Sequence, residues 1–371
     1  MARVNSMNMY VFFKKVVLCT AFLTGLSSAI AREESVNYRR CSLTHMLIQH
    51  PMYSFNDEIT DAFKQLPWNE RFNNHDLGVK VVKFSTQEYT DQTNEIAKFL
   101  TKAKVANRSI AKWFKWNKNT GTFNMDLVRE RGLYDATELD RQIASLSVRG
   151  SSILEDAGET LIPKTFLIMH DICYTGHYSN KAEDANSIGC RRSFSVKITS
   201  YIYSINWNSD CLNEFYVTHF NGNPDFISNA DYKYTYRAKV ESTVEDSSNK
   251  LTQFDLIKQV VGRALDVNIV KLMREYPDFR IMAPVVSVEP FQCYIGKKEG
   301  ISDNSKFEVL EMEIDKNGVP RYNRKGIVKV KTGTIMDNRY SIEEPQLPLK
   351  PTEFIIESGS GLYPGMLIRE L

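Results

Sequence analysis

His170-Asp171-Ile172-Cys173, followed by His177, gathers within eight residues the side chains that a transition metal takes as ligands. In the pattern H-x-x-C-x-x-x-H, two imidazoles and a thiolate could hold zinc if a fourth donor converged on the same point. The flanking residues argue against this. Phe166 to Met169 is a continuous apolar run, with Pro163 before it and Gly176 after it, the pattern of a strand covered on both faces in the middle of a sheet. On a strand His170 and Cys173 point to opposite faces. The residues therefore favour a strand-end histidine beside a buried thiol, and no metal is expected.

Other chemistry has less to stand on. Nucleophilic catalysis needs a serine or cysteine, a histidine base and an orienting third group, and no Gly-x-Ser-x-Gly elbow occurs. Gly359-Ser360-Gly361 lacks the Lys-Ser/Thr of a phosphate loop and reads as a turn. Glu155, Asp156 and Glu159 fall together on a predicted helix and read as a solvated acidic face. A glycosidase would instead set two carboxylates across a cleft. There is no dinucleotide fingerprint and no Cys-x-x-Cys. No catalytic residue and no cofactor is assigned. The best contact patch is Trp113 and Trp116 with Lys112, Lys115 and Lys118, aromatics among cations that suit a partner, a glycan or an anionic lipid surface. The competing reading tucks this helix end beneath the N-terminal segment.

The elements that would carry these residues follow from periodicity. Asn56-Asp57-Glu58 can open a helix that ends near Leu66, before Pro67. Gly78 introduces a first strand through Val79, Val81, Val82 and Phe84. Ile96, Phe99, Leu100, Ala103, Ala106, Ile110, Trp113 and Phe114 share one face of a single predicted helix whose remaining surface carries lysine and arginine. Thr120-Gly121-Thr122 breaks it, and helical pieces over 137–146 and 151–161 lead into the central strand. Phe194, Val196 and Ile198 hold one parity and Tyr201, Tyr203, Ile205 and Trp207 the other, which predicts a bulge near Thr199-Ser200. Tyr232 to Glu241 alternates as a strand with one wet face. Phe254 to Tyr276 is a second long helix, stopped by Pro277.

These elements predict an α+β fold: a mixed sheet packed with helices over 32–293, with 32–77 as a separable segment, and then a small SH3-like β-barrel over 294–371. In the barrel, residues 307–314 and 324–332 flank the turn Asp315-Lys316-Asn317-Gly318. At the other end, Lys14 and Lys15 precede the apolar run from Val16 to Leu26, and Ser27-Ser28-Ala29-Ile30-Ala31 offers a small-x-small cleavage site. That is a secretory signal peptide over 1–31, and it places the protein in the periplasm or at the outer membrane. The +2 of the whole chain becomes −1 once Arg3, Lys14 and Lys15 leave, so nothing in the charge favours nucleic acid. Of the cysteines that remain, Cys190 and Cys211 form the preferred disulfide, and Cys173 is expected as a buried thiol.

Ile295-Gly296-Lys297-Lys298-Glu299-Gly300, Lys306-Phe307-Glu308-Val309, Gly326-Ile327-Val328-Lys329-Val330 and Tyr363-Pro364-Gly365-Met366 follow one another in an order typical of small exported barrels. In this respect the last ~75 residues resemble the C-terminal domain of the periplasmic flagellar assembly protein T. The mixed region before them is similar to that protein and, more distantly, to the curli secretion channel family. The lipid-anchor cysteine of curli-type subunits is missing here. The resemblance implies a non-catalytic envelope protein that assembles with others, and it carries over no site residue. The expected function is thus protein–protein contact in envelope assembly or adhesion, with peripheral contact to an anionic membrane surface. The alternatives are a hydrolase acting on an envelope polymer or peptide, and a ligand-binding or channel-forming protein.

Overall fold

The computed structural model describes residues 39–85, 90–134, 150–176, 192–314, 320–342 and 349–371. The expected leader at 1–31, the expected helical piece at 137–146, His177, Cys190 and the expected turn at 315–318 lie outside the described residues.

In chain order the body contributes β1 (Ser42–Gln49), α1 (Asn56–Gln65), β2 (Asn73–Asn74), β3 (Val81–Lys83), α2 (Thr93–Lys102), α3 (Val105–Trp113), α4 (Asp126–Gly132), α5 (Gly150–Glu159), β4 (Thr165–Gly176), β5 (Arg192–Ile205), α6 (Ser209–Glu214), α7 (Phe226–Asn229), β6 (Tyr234–Ser248) and α8 (Gln253–Glu275). The sheet is ordered β2-β1-β4-β5-β6, with β3 also on β1. β1 runs parallel to β4, and β5 and β6 are antiparallel to their neighbours. The fold is α+β, as the sequence predicts.

β4 is buried from Thr165 through Cys173, the result of helices on both faces. Phe166, Ile168 and Ile172 pack with α1 and α8, while Leu167 and Met169 pack with α2 and α3. Each such side chain contributes roughly 1.5–3 kcal/mol by leaving water. α8 is held at its start by Thr252, whose hydroxyl accepts from the Asp255 amide at 3.2 Å, and Pro277 follows its end. α4 and α5 cross closely enough that a Cβ on Gly158 would lie 2.0 Å from the Val128 carbonyl oxygen.

Several expectations are corrected. The segment 32–77 is not separable, because β1 lies inside the sheet between β4 and β2/β3. The single basic helix is two: Lys104 takes a left-handed φ of 51° and divides α2 from α3. No bulge occurs at Thr199-Ser200, where the β4–β5 register is continuous. Both faces of β5 are covered, so both parities carry apolar residues. The irregularity lies in β6: Ile202 pairs with Ala238 and Tyr203 with Tyr236, which leaves Arg237 as the extra residue. Tyr236 therefore leaves the face of Ala238 and Val240, and it stands 42% exposed.

The C-terminal unit contains β7 (Ala283–Val288), β8 (Phe291–Cys293), β9 (Lys306–Ile314), β10 (Pro320–Val330), β11 (Thr352–Gly359) and β12 (Leu367–Glu370). They close a barrel in the order β10-β11-β8-β7-β12-β9. The expected boundary at 293/294 falls after two of these strands. β7 and β8 are needed to close the barrel, and their side chains Ala283, Val285, Phe291 and Cys293 point into its core.

Candidate functional site

The predicted contact patch does not form as a surface. Trp113 is fully buried, its indole N–H donating to Thr165 Oγ1 at 2.7 Å with the Arg131 guanidinium 4.3 Å from its ring centre. Trp116 is half-buried and donates to the Asn223 carbonyl at 3.0 Å. Lys112 is half-buried and donates to the Asp76 carbonyl. Lys115 and Lys118 are exposed, Lys115 lying 3.6 Å from Asp126. The reason is a second apolar core beside the sheet, in which Trp113 and Phe114 join Trp207, Phe215 and Phe226. The aromatics serve that core, and the helix end sits against His75 and Asp76 of the N-terminal segment.

The acidic trio is also not a solvated face. Glu155 pairs with Arg129 at 2.5 Å, and half-buried Glu159 accepts from the Tyr216 hydroxyl. Asp156 alone of the three is exposed. The H-x-x-C stretch divides as strand geometry requires. Asp171 and Cys173 face one way, where the thiol donates to the carboxylate at 3.6 Å and His50 lies 3.4 Å from Asp171. Among the described residues no three His, Cys, Asp or Glu side chains converge to hold a metal ion. Cys173 is buried, as expected, and Cys41 and Cys293 are buried free thiols; Cys211, expected to pair with Cys190, is free as well.

His170 points the other way and belongs to a buried polar array that sequence spacing does not reveal. Ser242 donates to Asn268 Oδ1 at 2.5 Å, and Asn268 Nδ2 donates to Ser200 Oγ at 2.9 Å. With its oxygen so engaged, Ser200 has its proton available for His170 Nδ1 at 2.8 Å. His170 Nε2 then meets His45 Nδ1 at 2.9 Å. Burial lowers the pKa of both imidazoles and keeps them neutral, as one unbroken donor–acceptor chain requires. The array has the members of a nucleophilic site without the access: Ser200 and His170 are completely buried. Of its members His45 lines a cavity.

That cavity, of about 80 Å³, lies where α1 and α8 meet the barrel. Phe63, Leu66, Trp68 and Leu265 form its apolar walls, and His45, Asp266, Lys298 and Tyr340 bring polar groups. The Trp68 and His45 rings meet edge to face, their centres 5.1 Å apart. It is smaller than the ~150 Å³ that admits benzene and suits water or one small group. Beside it, Arg71 of the body donates to Glu299 of the barrel at 3.1 Å and to the Tyr294 carbonyl. Glu299 also accepts from the Gly296 amide at 2.7 Å and from Asn338 at 2.8 Å. The site is thus built by residues from opposite ends of the chain. No protein-family model matches this sequence, and comparison with curated proteins returns no match.

Proposed function

We propose that this is an exported, non-enzymatic envelope protein that docks to other envelope proteins in assembly or adhesion. The observation that carries the reading is β6, fifteen residues long and bonded to β5 on one side, with no described strand on the other. An open edge can template an incoming strand. Natural edges are guarded, and the first half of β6 has both a bulge at Arg237 and Lys239, which pairs with Asp91 at 2.9 Å. From Val240 to Ser248 the register is unbroken, and Glu241, Thr243 and Glu245 are exposed. That half is the docking edge. The leader-like N-terminus supports export to the periplasm or outer membrane, and the resemblance of the C-terminal strands to exported assembly proteins supports the same role. A hydrolase would need an accessible nucleophile, which Ser200 is not.

Gentle crosslinking in the native cell, followed by sizing and identification of the captured proteins, tests this. The wild type is expected in an envelope-associated complex. Thr243→Lys with Glu245→Lys should lower its recovery about fivefold, while surface changes of this kind leave stability within ~0.5 kcal/mol. Recovery solely as a free monomer would sink the reading.

A further inference from the structure

The buried array that ends at His45 decides which proton the small cavity meets. Ser200 gives its proton to His170 Nδ1, so the neutral His170 ring carries its own on Nε2 and donates to His45 Nδ1 at 2.9 Å. The neutral His45 ring, accepting at Nδ1, then holds its proton on Nε2, and Nε2–H is the polar group it can offer the cavity it lines. The second polar group there is Asp266, whose Oδ2 is buried without a hydrogen-bond partner. The walls are built as well. Trp68 is held by its indole N–H, which donates to the Phe72 carbonyl at 3.0 Å. Tyr340 closes onto α8 at Gly262, where a Cβ would lie 2.7 Å from the tyrosine ring. Pro67 and Lys80 line the cavity and are exposed, so it opens to solvent.

We infer that this cavity is a binding site for a short aliphatic alcohol, whose hydroxyl accepts from His45 Nε2 and bonds to Asp266 Oδ2 while its carbons lie among Phe63, Leu66, Trp68 and Leu265. Few placed polar groups on an apolar lining are what small-molecule sites use to orient a ligand. A hydroxyl oxygen accepts as well as donates. It can give its proton to an ionised Asp266 or take one from the protonated acid, whereas an ammonium ligand needs the carboxylate and a carboxylate ligand needs the acid. Being uncharged, it binds without depending on the charges of Asp76, Lys80 and Lys298 around it. The volume of about 80 Å³ has room for roughly two or three carbons beside the hydroxyl. A ligand that satisfies Oδ2 also relieves a buried acceptor that the fold leaves unpaired.

Titration with n-propanol at pH 8, followed by NMR of the protein isotopically labelled at its histidine and tryptophan nitrogens, tests it. The N–H signals of His45 and Trp68 should shift saturably, with a Kd of about a millimolar, within reach of so small a ligand. At that pH Asp266, raised by burial to about 7, is mostly ionised, so the ligand must donate to it. Propionitrile, similar in size and able only to accept, should bind about tenfold more weakly or worse. Asp266→Ala and His45→Phe should each weaken n-propanol by the same factor, while Asp266→Asn, which can still accept, stays within about threefold of wild type. Because His45→Phe strips His170 of its acceptor, Asp266→Ala decides where the former is unstable. Absence of a saturable shift would mean that the cavity holds water alone, and it overturns the inference. So does wild-type affinity in a folded Asp266→Ala protein, or tighter binding of ethylammonium or propionate than of n-propanol.

Discussion

Glu299→Ala is expected to destabilise the protein by about 3–5 kcal/mol, the range for removing one member of a buried ion pair. Glu299 and Arg71 retain 5% and 11% of their side-chain exposure, so water can reach little of the guanidinium left behind. The Gly296 amide and the Asn338 side chain would lose their acceptor in the same step. The melting midpoint should fall by roughly ten degrees. Glu299→Gln keeps an oxygen for part of this set and should lose less. Because the pair ties the segment before β2 to the barrel, calorimetry of Glu299→Ala should broaden or split the transition into body and barrel. A double variant, Arg71→Met with Glu299→Leu, removes both charges together and should cost less than the sum of the single changes. A midpoint within ~2 °C of wild type for Glu299→Ala would mean that solvent replaces the carboxylate, and the seam would then be looser than its distances imply.

What the sequence made legible follows from how locally each signal is written. β4 and α8 are readable because burial on both faces and a 3.6-residue period leave marks in consecutive residues. β1 leaves none. Its polar positions are buried, with Thr44 donating to the His75 carbonyl at 2.6 Å and Ser42 accepting from Arg131 at 2.9 Å. A buried strand whose polar groups are satisfied by distant residues has neither alternation nor a continuous apolar run. The break at Lys104 is hidden for a related reason, since neither glycine nor proline marks it. The contact patch failed because an amphipathic helix shows that tryptophans share a face and leaves open whether a second core waits beneath them. Trp113 belongs to that core. His45, His170, Ser200, Asn268 and Asp266 come from four elements, so only the register of β1 on β4 and β4 on β5 brings them together. The barrel start was placed late because Pro284, inside β7, and Pro290, just beyond it, look like the end of a unit, whereas closure requires β7 to pair with β12 at the far end of the chain.

Asp266→Asn is expected to make the protein more stable at pH 8, and by an amount that vanishes near pH 4. Asp266 lies on α8 at the small cavity, 3.9 Å from Lys298, and its Oδ2 is buried without a hydrogen-bond partner. Burial pushes the carboxyl up from its ordinary 3.8 to about 7, Glu299 pushing the same way and Lys298 and the Tyr340 amide pulling back. Between those two values the folded protein holds a proton that the unfolded chain has released. Stability therefore falls as pH rises from about 4 to 7 and levels off above, a loss on the order of 2–4 kcal/mol. Asparagine keeps an oxygen for the Tyr340 amide and carries no charge to desolvate. His45, His75 and His170 produce the opposite slope. Burial holds them neutral in the folded state, so the unfolded chain takes up protons below about pH 6.5 and stability falls with acid. The two trends overlap in the wild type, which can therefore show a shallow maximum. The difference between wild type and Asp266→Asn removes the shared histidine contribution and isolates the carboxyl. Urea unfolding at pH 4, 6 and 8 measures it. Parallel curves with no pH-dependent gap would mean that Asp266 is ionised in the fold and paired with Lys298, and the cavity would then present a salt bridge in place of a neutral acid.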